Sequence, residues 1–439
     1  MFFRKIEKRL NEYYDDPLKK IMVINGARQI GKSYIIRETA KLKFVNYIEI
    51  NLKADYDGPK LFEKISKTRD FYLQLSALYG NKLGNESNTI IFLDEIQVYP
   101  HLLTLLKALF AEHRYRYIAS GSLLGITLKH TFIPMGSIEE VNMYPMDFEE
   151  YLYACNVGKD VVDYLRECFE KVEPISEGIH KLVLERFKEY LICGGLPDSV
   201  KAMVEEDNVL KTRENQETTL KYYKDDASQY DNEHSLKIRR IYDLMPSYME
   251  NKVKRIKITQ IEGKKDYDLL KYQDEFDYLI NSGCALNVKA ISNPCFPLIE
   301  SASKNLIKLY YNDVGILTNI LYKNNIGAVL NNDKGINLGS VYETVAAIEL
   351  KAHGHELYYF DSKKVGEVDF LINDYDNLSV LPIEIKSGKN TYEYRAIPKL
   401  VDKNGNYKLN KGYIFSNKNE CIKENNLVKY PIYLIMFVW

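Results

Sequence analysis

No stretch of this 439-residue sequence holds about 18 consecutive apolar residues, so no membrane-spanning helix is expected. The opening residues, Met1-Phe2-Phe3-Arg4-Lys5, become charged by the fourth position and lack the apolar core of a secretion signal. Cysteine is sparse: Cys155, Cys168, Cys193, Cys284, Cys295 and Cys421 form no C-x-x-C pair. That argues against a zinc ribbon and against a disulfide framework, and it fits a reducing cytoplasm, the expected location. With 23 glycines and 13 prolines the chain is neither collagen-like nor a linker protein. There is no excess of one charge. Lys+Arg total 60 and Asp+Glu 61, a formal net charge of −1, so the chain is not a bulk polycation. A local basic groove stays open, because net charge averages over domains. What is present is ordinary globular composition, 46% hydrophobic and 28% charged, which excludes wholesale disorder. At about 150 residues per domain, the length suggests two to three domains.

The first 150 or so residues alternate strand and helix signals. Strands are expected at 21–25, 44–51, 89–96, 115–120 and 138–143, with helices at 31–42, 61–79 and 101–113 between them. This rhythm implies βαβ units and a parallel sheet, and continuous apolar strands suit a sheet covered on both faces. From about Asp147 the pattern becomes mainly helical, with periodicity over 148–155, 179–192, 235–249 and 266–281. A strand is expected at 286–291 and a mixed segment at 305–321. The last part returns to α/β: a helix over 339–353, then strands at 357–360, 368–372, 380–386 and 413–415. The apolar end, Tyr430 to Trp439, reads as a buried strand. The expected domains are 1–155, 156–330 and 331–439, divided where polar, Gly- and Asn-rich turns gather near 155–180 and 322–338.

The sharpest signal is Gly26-Ala27-Arg28-Gln29-Ile30-Gly31-Lys32-Ser33, a G-x-x-x-x-G-K-[ST] loop between an apolar strand and a helix. Glycines let backbone N–H groups turn inward toward phosphate, and the following helix adds its positive end. Lys32 is placed to reach the β- and γ-phosphates, and Ser33 to ligate Mg²⁺. A second apolar strand, Ile90-Ile91-Phe92-Leu93-Asp94-Glu95, ends in two carboxylates. Asp94 is the candidate holder of Mg²⁺, and Glu95 the candidate polariser of the attacking water. A third strand ends Ala119-Ser120-Gly121-Ser122, where either Ser120 or Ser122 would bond the water or the γ-phosphate.

Together these three segments resemble a family of prokaryotic AAA+-type ATPases whose members carry a C-terminal nuclease-like domain. Tyr144-Pro145-Met146-Asp147-Phe148-Glu149-Glu150-Tyr151-Leu152 resembles the segment that closes the family's ATPase core. Tyr190-Leu191-Ile192-Cys193-Gly194-Gly195-Leu196-Pro197 resembles its Gly-Gly-x-Pro turn. The resemblance implies ATP and Mg²⁺ as ligands. One departure stands out: the family's Gly-Arg pair before the last core strand reads Gly136-Ser137 here. If that arginine serves the γ-phosphate, hydrolysis is slow or another residue, such as Arg114 or Arg116, replaces it. An arginine acting on transferring phosphate is worth about 10³–10⁵ in rate.

A second constellation is Glu343 on a helix, Asp369 in Glu367-Val368-Asp369-Phe370, and Glu384 with Lys386 in Pro382-Ile383-Glu384-Ile385-Lys386. Glu384 and Lys386 are two apart and share a strand face. The turn Asn373-Asp374-Tyr375-Asp376-Asn377 makes a hairpin that brings Asp369 beside Glu384. Charges in apolar strands are costly unless paired or metal-bound. Asp369, Glu384 and the Ile385 carbonyl suit Mg²⁺ or Mn²⁺, and Lys386 would orient or deprotonate a water and stabilise phosphorane charge. Helix Glu, strand Asp, then Glu-x-Lys resembles the PD-(D/E)XK nuclease fold, which implies a restriction-endonuclease-like C-terminal domain. Glu367 and Lys389 are auxiliaries or surface charges.

Residues 235–300 read as helix, helix and strand pair, compatible with a winged helix, with Lys252, Lys254, Arg255 and Lys257 as a basic run for DNA phosphates or a solvated helix end. No histidine receives a role. The expectation is an α/β chain: a P-loop ATPase, a helical, winged-helix-like middle and a nuclease-like end. Its partner would be DNA, and its state a monomer or small homo-oligomer. The alternatives are a regulatory or defence switch that binds nucleic acid or protein without cutting, and an NTP-driven chaperone or motor with a merely structural hairpin.

Overall fold

Five short runs rich in Ile, Val and Phe become the parallel strands of the N-terminal sheet: β1 (Ile21–Asn25), β2 (Asn46–Asn51), β3 (Thr89–Asp94), β4 (Arg116–Gly121) and β5 (Ile138–Asn142). The computed structural model describes residues 1–122, 136–226, 232–250, 272–331, 333, 335–387 and 394–439. These fall into two units, one of Phe3–Tyr144 with Asp277–Gly283, the other of Pro145–Phe276 with Cys284–Trp439.

In the first unit the strand order is β2-β3-β4-β1-β5. β1 and β3 are buried at every position, as strands covered on both faces must be. Helices Lys32–Lys43, Thr68–Tyr79 and His101–Glu112 provide the covers. Phe71, Leu75, Leu102 and Leu106 pack with Ile91, Leu93 and Tyr117 in the core on one face. β4 lies between β1 and β3, pairing Ser120 with Ile24 and Ala119 with Leu93. The C-terminal ends of all three strands therefore open side by side, where parallel α/β sheets place their ligands. The expected helix over 61–79 begins only at Thr68. The Asp55 carboxylate accepts the N–H groups of Leu61 (2.7 Å) and Phe62 (3.1 Å), and this competes with a helical ladder there.

The second unit holds an eight-stranded mixed sheet built from β6 (Ala285–Ile291), β7 (Ala302–Tyr311), β8 (Tyr358–Ser362), β9 (Gly366–Asp374), β10 (Ser379–Lys386), β11 (Gly412–Ser416), β12 (Ile422–Glu424) and β13 (Leu427–Pro431). Its order is β12-β13-β11-β10-β9-β8-β6-β7. Helices Lys159–Lys171, Glu177–Cys193, Pro197–Val204, Val209–Asp226 and Asn232–Glu250 form the helical part. The expected boundary at 330/331 runs through this sheet. β6 pairs with β7 but also, in parallel, with β8 through Lys289 and Tyr358, so the strand pair given to a winged-helix-like middle belongs to the C-terminal sheet. The mixed segment at 305–321 resolves into the end of β7 and a helix, Val314–Tyr322, that Asp313 caps by accepting from the Ile316 N–H at 2.9 Å. The apolar end is not a strand throughout. β13 stops at Pro431, which has no N–H to extend a ladder, and Ile432–Phe437 is a buried 3₁₀ turn. At the Gly194-Gly195 turn a Cβ on Gly195 would stand 2.0 Å from the Met146 carbonyl oxygen, so only glycine lets the two backbones meet. The basic run Lys252, Lys254, Arg255 and Lys257, the start of the 266–281 helix, and Lys389 lie outside the described residues. The end of that helix is present as Gln273–Asn281.

Candidate functional site

The phosphate loop leaves β1 at Asn25 and enters the Lys32–Lys43 helix through Gly31, a left-handed residue at φ +89°. Gly26 cannot be replaced without movement, because a Cβ there would lie 2.3 Å from the Met143 carbonyl oxygen. The loop is held from behind by Arg4. This buried guanidinium donates to the carbonyls of Ile30 (3.0 Å) and Tyr144 (2.7 Å). The Lys32 ammonium folds over the loop and donates to the carbonyls of Gly26 (2.9 Å) and Ala27 (2.7 Å). An anion in the loop would draw it from those carbonyls. Ala27, Arg28, Gln29 and Ile30 complete the loop, and Arg28 Nε reaches Ser122 Oγ at 3.4 Å.

Asp94 is the hub of the strand ends. Its Oδ2 accepts from Ser33 Oγ at 2.8 Å, and its Oδ1 accepts a short bond from Ser120 and a longer one from the Glu95 N–H at 3.1 Å. Burial pushes the Asp94 carboxyl above its usual range, against the two hydroxyl bonds that pull it down. Ser33, Asp94 and Ser120 are thus brought together, with Ser120 bonding Asp94 where the sequence offers Ser120 or Ser122 to the water or the γ-phosphate. A loop whose Gly26 has no room for a Cβ, with a hydroxyl and a carboxylate at its mouth, fits a magnesium nucleotide. The two candidate serines divide the work, since Ser122 bonds Glu95 at 3.2 Å rather than Asp94. Glu95 sits at φ +57°, rare for a non-glycine residue, and its Oε2 takes a short bond from Gln97. Sequence reasoning assigned no role to Gln97, although its place three residues after Asp94 was a usable signal. Arg4 had none.

The arginine question also resolves in part. Arg116 opens β4, at the end opposite the loop, where it stacks on Tyr13 at 3.8 Å and donates to the carbonyls of Tyr13, Asp16, Pro17 and Lys19. Arg114 pairs with Glu86 and lies over Tyr72. Neither reaches the loop of its own chain. Ser137 precedes β5 and its carbonyl accepts from Ile21 at the start of β1, so an arginine there would stand about 13 Å along the strand from its own loop.

In the second unit the hairpin forms. β9 and β10 are antiparallel, with Phe370 opposite Ile383. Asp369 Oδ2 accepts from the Ile385 N–H at 2.8 Å, and Lys386 Nζ donates to Glu384 Oε1 at 2.7 Å. Glu343, on the Gly339–Ala352 helix, accepts from Tyr310 at 2.9 Å. Burial and the nearby Asp369 push the Glu384 carboxyl up to about 8, with Lys386 pulling the other way. Burial works against the Lys386 charge, but Glu384 and Asp369 outweigh it and hold the ammonium above its usual range. Among the described residues Glu384 Oε2 is buried without a hydrogen-bond partner. That orphan oxygen beside Asp369 fits a divalent cation better than an empty core. Glu367, read as an auxiliary or a surface charge, pairs closely with Lys308, which is 2% exposed and lies over the Tyr359 ring at 4.3 Å. Lys308 and Tyr310 escaped sequence reasoning because they arrive on β7, from outside the expected domain.

Residues 18–152 match the family model of an AAA domain. Residues 184–326 match a domain of unknown function, DUF8612, and residues 338–435 another, DUF4143. No curated protein matches the chain. Among solved structures, the Walker-type ATPase PABY2304 of Pyrococcus abyssi aligns with 75% of this chain and 96% of its own at 18% identity and a TM-score of 0.42. The RuvB Holliday junction branch migration motor of Thermotoga maritima aligns with 65% of this chain and 89% of its own, at 13% identity and a TM-score of 0.29. The Hsp104–ADP complex of S. cerevisiae aligns with 57% of this chain and 36% of its own, at 13% identity and a TM-score of 0.27. The loop, the strand order and the AAA match together support a P-loop, AAA-type domain over residues 18–152. No helix among the described residues is long and apolar enough to cross a membrane.

Proposed function

We propose that the chain is a magnesium-dependent ATPase whose nucleotide state governs a nuclease-like centre acting on DNA. The observation that carries the first half is the Ser33–Asp94–Ser120 bridge at the mouth of the loop. Magnesium, when bound, would neutralise charge on the β- and γ-phosphates, with Ser33 and Asp94 as its protein holders. Lys32 would exchange the loop carbonyls for phosphate oxygens. Glu95, steadied by Gln97 and Ser122, would accept the proton of the attacking water. Ser120 keeps Asp94 turned toward Ser33.

The second half rests on the hairpin. Glu343, Asp369, Glu384 and Lys386 keep the order and the strand pairing of a PD-(D/E)XK centre, and Asp369 and Glu384 would hold Mg²⁺ or Mn²⁺. The metal would polarise a scissile phosphate. Lys386 serves as a cation that stabilises developing charge rather than as a base, since its neighbours hold the proton on it. The nuclease-like module then begins at β6 rather than near residue 331, because β6 and β7 complete its sheet.

The test is cleavage of supercoiled, linear and branched DNA with Mg²⁺ or Mn²⁺, with and without ATP. Lys386→Ala should abolish cutting. Lys32→Ala should abolish its response to ATP. Cutting that ignores Lys32→Ala would sever the proposed coupling. Binding without cutting in every condition would make the chain an ATP-dependent switch instead.

A further inference from the structure

Outside the hairpin, three buried side chains of the second unit converge: Asp147, Glu349 and His353. Glu349 and His353 are four residues apart, at the end of the Gly339–Ala352 helix and just beyond it, so they share one face. Asp147 is the N-cap of the Phe148–Ala154 helix. The side chains of Asp147, Glu349 and His353 are 4%, 0% and 0% exposed.

Each of the three is aimed by its other polar atom. Asp147 Oδ1 accepts from the Glu150 N–H at 2.9 Å, and Glu349 Oε1 accepts from the Phe148 N–H at 2.7 Å. His353 Nδ1 lies 2.7 Å from the Val438 carbonyl oxygen. A carbonyl only accepts, so Nδ1 carries the hydrogen, and the ring turns its Nε2 edge toward the carboxylates. Asp147 Oδ2 and Glu349 Oε2 stand 4.0 and 3.9 Å from Nε2. That is beyond direct hydrogen-bond reach. Bonds of about 2.0–2.2 Å at tetrahedral angles put ligand atoms about 3.3–3.6 Å apart, so a closure of a few tenths of an ångström would seat one ion. The Trp439 ring stacks on the imidazole, 4.0 Å between centroids, and covers it. The surroundings are electronegative: burial and then Glu349, Asp313, Asp147 and Glu150 push the Tyr190 phenol well above its usual range.

We propose that Asp147, Glu349 and His353 bind one zinc-type divalent transition-metal ion. Carboxylates buried side by side are costly, and a cation held by both and by the imidazole lowers that cost. The imidazole selects against magnesium and calcium, which prefer oxygen donors alone. A ring N–H given to a backbone carbonyl, and carboxylates fixed by backbone N–H groups, are how metal ligands are held in tune. The ion staples the start of the Phe148–Ala154 helix to the end of the Gly339–Ala352 helix, and His353 ties both to Val438 and Trp439.

The test uses the full chain carrying Lys32→Ala and Glu384→Gln, so that neither proposed active centre contributes metal. After dialysis, elemental analysis should find one zinc per chain. Adding Glu349→Gln, whose amide oxygen can still accept from Phe148, should empty the site while circular dichroism stays unchanged. His353→Gln should do the same. Should either variant fail to fold, the chelator-stripped parent still decides the matter: Co²⁺ should give a saturable visible absorption band at one equivalent, displaced by Zn²⁺, and Zn²⁺ should raise the melting temperature. Zinc content untouched by Glu349→Gln and His353→Gln would overturn the proposal, as would a stripped parent that gives no Co²⁺ band. The three residues would then hold a proton between them.

Discussion

In the nucleotide site the buried carboxylate of Asp94 meets two hydroxyls and a backbone N–H, whereas in the hairpin Glu384 meets an ammonium. Both carboxyls are pushed up by burial, yet they are poised differently. The charge on Asp94 is solvated by dipoles. Glu384 meets the Lys386 ammonium, yet burial and the neighbouring Asp369 hold a proton on it up to about pH 8, and its Oε2 is left an orphan. Under the proposed function, the dipole-lined acid would empty and refill with each turnover, and the acid beside a second carboxylate would keep its metal.

That contrast breaks most sharply at Glu95. If the strand ends are a turnover site, Glu95→Gln removes the proton acceptor and leaves the loop intact. Phosphate release should fall about 10²–10⁴-fold, while binding of a fluorescent ATP analogue persists. Unchanged turnover would mean that Glu95, with Gln97 and Ser122, only shapes the turn at its left-handed backbone. A smaller effect is expected at Ser120. Ser120→Ala leaves one lobe of Asp94 without its hydroxyl, at a cost of about 1–2 kcal/mol. Affinity for Mg-ATP, measured by titration calorimetry, should drop roughly tenfold. A larger loss would place Ser120 on the nucleotide itself.

Legibility followed the distance in sequence between the residues that meet. The phosphate loop, Asp94 and the Asp369–Glu384 hairpin each lie within one or two elements, and their spacing already fixes which groups share a strand end or a strand face. Ser120 was legible once β4 was set beside β3. The rest depends on long-range packing that no local period records. Arg4 reaches Ile30 and Tyr144 from the N-terminal segment that precedes the Ile6–Asp15 helix. Tyr310 reaches Glu343 because β7 joins a sheet that the composition shift near 322–338 seemed to exclude. Glu349 and His353 lie four residues apart at the end of one helix, but Asp147 caps another about 200 residues earlier, and only packing brings it to them. The helix expected from Leu61 failed for a local reason, since one Asp55 side chain took two of its N–H groups.

The finest test of the contrast is the pH dependence of stability in metal-free protein. Folded, Glu384 titrates at about 8; unfolded, it should titrate near about 4.3. Between those values the folded chain keeps a proton that the unfolded chain has released, so this group's contribution falls as pH rises through the window. Urea unfolding midpoints between about pH 5 and 8 should decline more steeply in the parent than in Glu384→Gln. Saturating Mn²⁺ should flatten the parent's decline, because the ion takes the place of the proton on the orphan oxygen. Asp94 is raised in the same direction, but its two hydroxyls hold it down, so Asp94→Asn should change the slope less than Glu384→Gln does. Equal slopes in the two variants would show that the lysine-bearing hairpin is solvated like the nucleotide site, and the case for a standing metal seat at Glu384 would fall with it.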